Sequence, residues 1–366
     1  MMAPSPERHG TGPGPLLEVD DLRLWFRTPI GMVRAVDGVS LSLDRGRTLG
    51  IVGESGSGKT VLSRGIMGIL PSEATVRPTG SVLFDGKELL AMDPEDLRKL
   101  WGIEMSMVFQ DPMTSLNPVK RIDTQITESL RHHFGMSRSE ANQHAVDALR
   151  SVGIPEPERR VRQYPHQLSG GMRQRVTIVI ALACSPRLLF ADEPTTALDV
   201  TVQAQILDLL ATQQSSRDMA MILVTHDLGV VSGRTDDIIV MYGGQVVERA
   251  PTDVLFREMQ MPYTEALLNA TPKLSGPIHA RLQAIPGRPP DLVNPPRGCR
   301  FAARCPYAQE RCLHDEPPLV AGSVPSHEYR CWYPLGTDAG REAWERNQAA
   351  GKSAAGTPVT VGEEVV

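Results

Sequence analysis

Three groups of side chains in this 366-residue sequence have the types and spacing of working chemistry. The first is Gly53-Glu54-Ser55-Gly56-Ser57-Gly58-Lys59-Thr60, which fits the phosphate-loop pattern G-x-x-x-x-G-K-[ST]. Its glycines let backbone N–H groups point inward around an anion. Lys59 supplies a cation for the β- and γ-phosphates of a nucleotide, and the Thr60 hydroxyl can ligate Mg²⁺. The second group is Asp192-Glu193, which closes the apolar run Leu188-Leu-Phe-Ala191. Asp192 is placed there to hold Mg²⁺, and Glu193 to orient and deprotonate an attacking water. The third is a cluster of soft ligands, Cys299, Cys305, Cys312 and Cys331.

Each group needs elements to position it. Thr48-Leu-Gly-Ile-Val52 reads as a buried strand. Leu62, Ile66, Ile69 and Leu70 fall at helical spacing, with Pro71 as the stop. This strand and helix set aside a flexible Gly/Ser linker as the reading of 53–60, and they aim a helix N-terminus at the phosphates. The sequence thus predicts a nucleoside triphosphate site. Residues 16–270 alternate short apolar strands with amphipathic helices, as in an α/β domain with a largely parallel sheet. A more helical insertion covers about 112–185, with 139–152 as one amphipathic stretch. Beyond Pro262 the composition changes, and 271–335 read as a small loop-rich module holding the four cysteines. Residues 1–15 and the tail 336–366 are expected to be disordered.

Composition bounds the rest. The 41% hydrophobic and 22% charged content is that of an ordinary globular chain, and the net charge of −5 disfavours nucleic acid as the main ligand. No apolar run approaches the roughly 20 residues that cross a bilayer, and Met1 to Pro15 lack a signal-peptide core. The expectation is a cytosolic chain able to dock on membrane proteins. Its five cysteines are then thiols or metal ligands rather than disulfides.

A further motif, Leu168-Ser169-Gly170-Gly171-Met172-Arg-Gln-Arg175, pairs a good N-cap with two glycines that let an oxyanion approach. Taken in order, the phosphate loop, Gln110, Leu-Ser-Gly-Gly, Asp-Glu and His226 resemble the ATP-binding subunits of ATP-binding cassette transporters, from about Leu16 to Tyr263. The resemblance implies a P-loop NTPase (RecA-like) α/β core with an inserted helical subdomain. It also implies that two cassettes close head to tail on two ATP molecules. Ser169, Gly170, Gly171 and Met172 would then act on the partner's ATP. By the same resemblance Thr60, Gln110 and Asp192 hold Mg²⁺, and Gln110 also contacts the attacking water and senses the membrane partner. Glu193 is the catalytic base, His226 the γ-phosphate switch, and Asp199 lies in the loop linking the two sites. Phe26 stacks on adenine, with its neighbour Trp25 as the alternative one residue away.

Ala35-Val-Asp-Gly-Val-Ser40, Gln110-Asp-Pro-Met-Thr-Ser-Leu-Asn-Pro118, Pro262-Tyr-Thr264 and the Met at 172 resemble the oligopeptide/dipeptide importer branch. The implied machine is an ATPase peripheral to the cytoplasmic face of the cell membrane. Its implied partners are a second, different cassette, two permeases and an extracytoplasmic binding protein, with no nucleic acid. Competing readings are a soluble cassette ATPase, an exporter, and an importer of nickel chelates or glutathione. The cysteine spacings, C-x5-C-x6-C-x18-C, do not fit the C-x2–4-C of common zinc sites. Buried thiols, zinc and an iron–sulfur cluster stay open on the residues alone. The segment from Ile285 through Cys305-Pro306 and His327 to Cys331-Trp332 resembles the C-terminal extension of peptide importer ATPases, which in some members carries a [4Fe–4S] cluster. That places the cluster ahead of zinc, with a structural or regulatory role. Cys184 reads as a small core residue.

Overall fold

A computed structural model describes residues 14–70, 78–195, 199–270, 284–322, 324 and 326–359. The described residues gather into two compact units. One draws on the described residues of Met1–Glu18, Ser42–Thr48 and Val82–Val224, the other on those of Val19–Leu41, Leu49–Ser81 and Thr225–Val366.

The first unit is built on parallel strands. Met105–Val108 pairs with Leu188–Asp192, which pairs in turn with Ala220–Thr225. All three are buried along their length, as expected of parallel strands covered on both faces. The helices Ile122–Phe134, Arg138–Ser151 and Gly170–Leu182 lie between its first and second strands. Its second long helix starts at a capping box, in which Ser137 and Glu140 each satisfy the other's backbone N–H. Ile122, Ile126, Ala145, Leu149, Val176 and Val179 interlock in its core, all essentially out of solvent. Cys184 is buried in a neighbouring apolar cluster, as read from the sequence.

The second unit holds the phosphate loop. Thr48–Val52 lies parallel to Asp237–Tyr242, with Leu49 opposite Asp237 and Val52 opposite Val240. Gln245–Pro251 then runs back antiparallel beside Asp237–Tyr242. The helix after the loop, Lys59–Ile66, stops short of the expected end at Pro71. Gly68 turns left-handed at φ 68°, and the Ile69 N–H closes back on the Arg64 carbonyl at 3.0 Å. A glycine in that position caps a helix whatever apolar spacing follows it. Pro71 lies outside the described residues.

The cysteine-bearing segment lies in the same compact unit as the phosphate loop. Its strand Glu328–Tyr329 adds antiparallel to Gln245–Pro251, and Val320–Ala321 adds to that. The tail beyond 336 is not disordered throughout, because Asp338–Ala350 is a helix. Thr337 caps it, and Gly351 ends it at φ 70°. Ala343 and Asn347, one turn apart, are buried in its docked face. Asn347 Nδ2 donates to the carbonyls of Pro306 (2.7 Å) and Ala308 (3.1 Å), and Trp344 packs on Tyr307. An Ala/Glu/Arg composition reads as a solvated tail until those two positions are seen to face a partner. Residues 1–13 and 360–366, also expected to be disordered, lie outside the described residues.

Candidate functional site

The phosphate loop follows directly from its strand. Gly56 sits at φ 81° and Gly58 at φ 103°, both left-handed, and a Cβ on Gly58 would meet the Ala35 carbonyl oxygen at 2.2 Å. No side chain is tolerated there. Lys59 is buried, and its Nζ donates to the carbonyls of Gly53 (2.6 Å) and Glu54 (3.0 Å), which holds the cation over the loop. Ser57 is buried, Ser55 and Gly56 are exposed, and Thr60 opens the helix. Phe26, half-buried in strand Leu17–Thr28, belongs to this unit too. Its neighbour Trp25 donates from Nε1 to Asp37 at 3.2 Å and carries the Arg34 guanidinium over its ring. His226 is exposed, directly after strand Ala220–Thr225.

The carboxylates belong to the first unit. Asp192 ends the strand Leu188–Asp192 and is fully buried. Glu193 sits at φ 45°, a left-handed conformation uncommon outside glycine, and its N–H is fixed to the Val224 carbonyl at 2.9 Å. Such conformations persist where the surroundings over-determine them, and they cluster at functional sites. Gln110 Nε2 donates to Glu193 Oε2 at 3.0 Å, which brings together two residues 83 positions apart. The donated hydrogen bond aims the Glu193 carboxylate. Hydroxyl, carboxylate and amide oxygens are the hard donors that suit Mg²⁺.

Ser169 caps the helix Gly170–Leu182, its hydroxyl accepting from the Met172 N–H at 3.3 Å. Ser169 and Gly170 are exposed at the start of this helix. The Met172 side chain packs against the helical core. Asp199 caps Val200–Arg217 by accepting from the Val202 N–H at 2.9 Å. The preceding Thr196, Ala197 and Leu198 lie outside the described residues.

Sequence reasoning missed a contact. Arg304, buried at 4% exposure, grips the phosphate-loop residue Glu54 with both prongs: Nη1 to Oε2 at 2.5 Å and Nη2 to Oε1 at 2.9 Å. The Glu54 N–H donates to the Tyr263 hydroxyl at 2.8 Å. Tyr263 belongs to Pro262-Tyr-Thr264, singled out above only as a mark of kinship. With 250 residues between Glu54 and Arg304, no local pattern announces the pair.

Cys299, Cys305, Cys312 and Cys331 line one small, mostly apolar cavity, and none is in a disulfide. Burial pushes all four thiols above their usual range, Cys299 to about 11, and the neighbouring sulfurs push Cys299, Cys305 and Cys331 further the same way. Among the described residues no three His, Cys, Asp or Glu side chains are arranged to hold a single metal ion. Four cysteine sulfurs are a donor set used both by structural zinc and by iron–sulfur clusters.

A left-handed glycine loop with its lysine, a strand-end Asp-Glu with its glutamine, and a serine-capped signature helix define a P-loop ATPase of the ATP-binding cassette class. The matched families agree: ABC transporter over residues 36–196, and oligopeptide/dipeptide transporter, C-terminal region, over 247–312. The chain is 49% identical over 317 residues to the oligopeptide transport ATP-binding protein OppD of Bacillus subtilis, covering 87% of this chain and 88% of that protein. It is 47% identical over 326 residues to the dipeptide transport ATP-binding protein DppD of Escherichia coli, covering 89% and 98%. Among solved structures it is similar to an ATP-binding cassette dimer in a post-hydrolysis state bound to ADP and Pi. The TM-score is 0.58 and the identity 28%, covering 64% of this chain and 98% of that one. The chain belongs to the ATP-binding subunits of ABC transporters, in the oligopeptide/dipeptide transport group.

Proposed function

We propose that this chain hydrolyses ATP to drive uptake of oligopeptides or dipeptides through a membrane complex. The observation that carries the reading is its likeness, over almost their whole length, to ATP-binding proteins named for oligopeptide and dipeptide transport. Gly53, Glu54, Ser55, Gly56, Ser57, Gly58 and Lys59 wrap the phosphates, and Phe26 stacks on the base. Gln110 orients the attacking water, and Glu193 takes its proton as the water attacks the γ-phosphorus and the bond to ADP breaks. Thr60, Asp192 and Gln110 would hold Mg²⁺, which when bound neutralises charge developing on the phosphates. His226 contacts the γ-phosphate and reports its loss. Ser169 to Met172 serve the ATP of a second cassette, and Asp199 links the paired sites.

Among the described residues no helix is long and apolar enough to cross a membrane. We read the chain, by its likeness to those transport proteins, as a peripheral subunit at the cytoplasmic face that works with two permeases, a second cassette and an extracytoplasmic binding protein. The purified complex in proteoliposomes tests this. ATP hydrolysis should rise several-fold with peptide-loaded binding protein, and peptide should accumulate only with Mg-ATP. Hydrolysis indifferent to peptide, with none imported, would remove the peptide assignment and leave the ATPase standing.

The residues 271–335 form the family's C-terminal extension, and Cys299, Cys305, Cys312 and Cys331 would hold a [4Fe–4S] cluster. The cluster would staple a segment that has few apolar side chains of its own. Anaerobically purified chain should be brown, absorbing broadly at about 400 nm, with about four irons per chain. Colourless protein with one zinc per chain overturns the assignment.

A further inference from the structure

Two arginines neighbour the first two cysteines of the C-terminal segment; one of them, Arg304, contacts the phosphate loop directly, and the other, Arg300, holds a turn that does. Arg304 immediately precedes Cys305 and Arg300 follows Cys299. Arg304 forks onto Glu54 and is itself anchored from behind. Its Nε donates to the Pro286 carbonyl at 2.7 Å, Nη2 to the Ile285 carbonyl at 3.1 Å and Nη1 to the Tyr242 hydroxyl at 3.1 Å. Tyr242, Tyr263 and Phe301 pack ring against ring behind it, all fully buried. Arg300, equally buried, donates to the Gly243 carbonyl and pairs with Asp37. The next residue, Gly244, donates its N–H to the Ser57 carbonyl at 3.0 Å. The C-terminal segment thus holds Glu54 directly through Arg304, and through Arg300 it holds the turn whose Gly244 meets Ser57.

We propose that Arg304 is a positioning residue for ATP binding: its fork on Glu54 neutralises a carboxylate within the phosphate loop and fixes the loop backbone for the nucleotide. This rests on the ATPase reading above. A carboxylate at the second position of a phosphate loop is a liability, because an unpaired anion there repels the polyphosphate. The fork removes the liability and uses it as a handle. Planar bidentate pairing sets both position and orientation, which a point charge does not. The Tyr263 hydroxyl, accepting from the Glu54 N–H, fixes the same residue from its backbone side.

If Arg304 acts through Glu54, its loss should fall on nucleotide affinity and spare the chemical step. In the assembled complex, Arg304→Gln should raise KM for Mg-ATP about tenfold, with kcat within about twofold. Direct nucleotide titration of the full-length chain should weaken by the same factor. The double variant Glu54→Gln/Arg304→Gln removes both charges and leaves two amides facing each other. It should return KM to within about threefold of the parent. A structural support would behave otherwise, since a second substitution would add to the damage. Unchanged KM in Arg304→Gln, or a double variant worse than the single, overturns the proposal. Should Arg304→Gln not fold, Arg304→Lys decides. It keeps the charge and loses the fork, so KM should rise about threefold at an unchanged melting temperature, and a parental KM there is the contrary result. Lys59→Ala serves as the control. If the parent chain itself shows no Mg-ATP affinity, the ATPase reading fails. If the parent binds and Lys59→Ala does not, a null result at Arg304 sinks only the clamp.

Discussion

Glu193→Gln should lower ATP turnover by about a thousandfold while leaving nucleotide affinity within a few-fold of the parent. General-base catalysis by a positioned carboxylate contributes about 10²–10⁴ in rate, and glutamine cannot take the proton. The geometry around Glu193 predicts that little else changes. Its backbone is held at φ 45° by the hydrogen bond to Val224, and that bond uses no side-chain atom. The amide that replaces the carboxylate still offers an oxygen to Gln110 Nε2, so the 3.0 Å contact can survive. Single-turnover phosphate release and nucleotide titration on the same preparation separate the two quantities. Near-parental phosphate release would take Glu193 out of the base role.

The other large effect is expected at Lys59. Lys59→Ala should weaken Mg-ATP binding by at least about a hundredfold, about 2.7 kcal/mol, because a buried cation aimed at the phosphates has no substitute in the loop. The lysine also donates to the carbonyls of Gly53 and Glu54, so its loss unpins the loop that it serves. Lys59→Met, which keeps the stem and drops the charge, should lose a similar factor if charge dominates. Calorimetric titration with Mg-ATP measures both, and parental affinity in either would contradict the phosphate-loop reading.

What could be read from the residues divides along physical lines. The strands Thr48–Val52 and Leu188–Asp192 were legible because buried parallel strands are unbroken apolar runs. The phosphate loop and the Ser169 cap were legible because each is a local device whose parts lie within eight residues. The end of the helix Lys59–Ile66 was misjudged, since apolar spacing ran on past a glycine that had already closed the turn. The helix Asp338–Ala350 was missed because its buried positions are Gly340, Ala343 and Asn347 rather than a stripe of large apolar residues. The Arg304–Glu54 pair was invisible for a different reason. Both residues are ordinary surface types, and only the folded chain brings them together. Phosphate-loop patterns record what touches the nucleotide; what holds the loop from outside leaves no signature at fixed spacing.

The strand Glu328–Tyr329 has a practical bearing on where this protein can be cut. It lies along one flank of Gln245–Pro251 and occupies backbone groups that would otherwise face outward. A recombinant fragment ending at residue 270, the natural choice if the last hundred residues are thought of as an accessory, would leave that flank bare. Bare strand flanks recruit strands from other molecules, and the fragment would be prone to precipitate for reasons unrelated to its catalytic parts. Poor behaviour of such a fragment would thus report on a missing ladder and not on a defective nucleotide pocket.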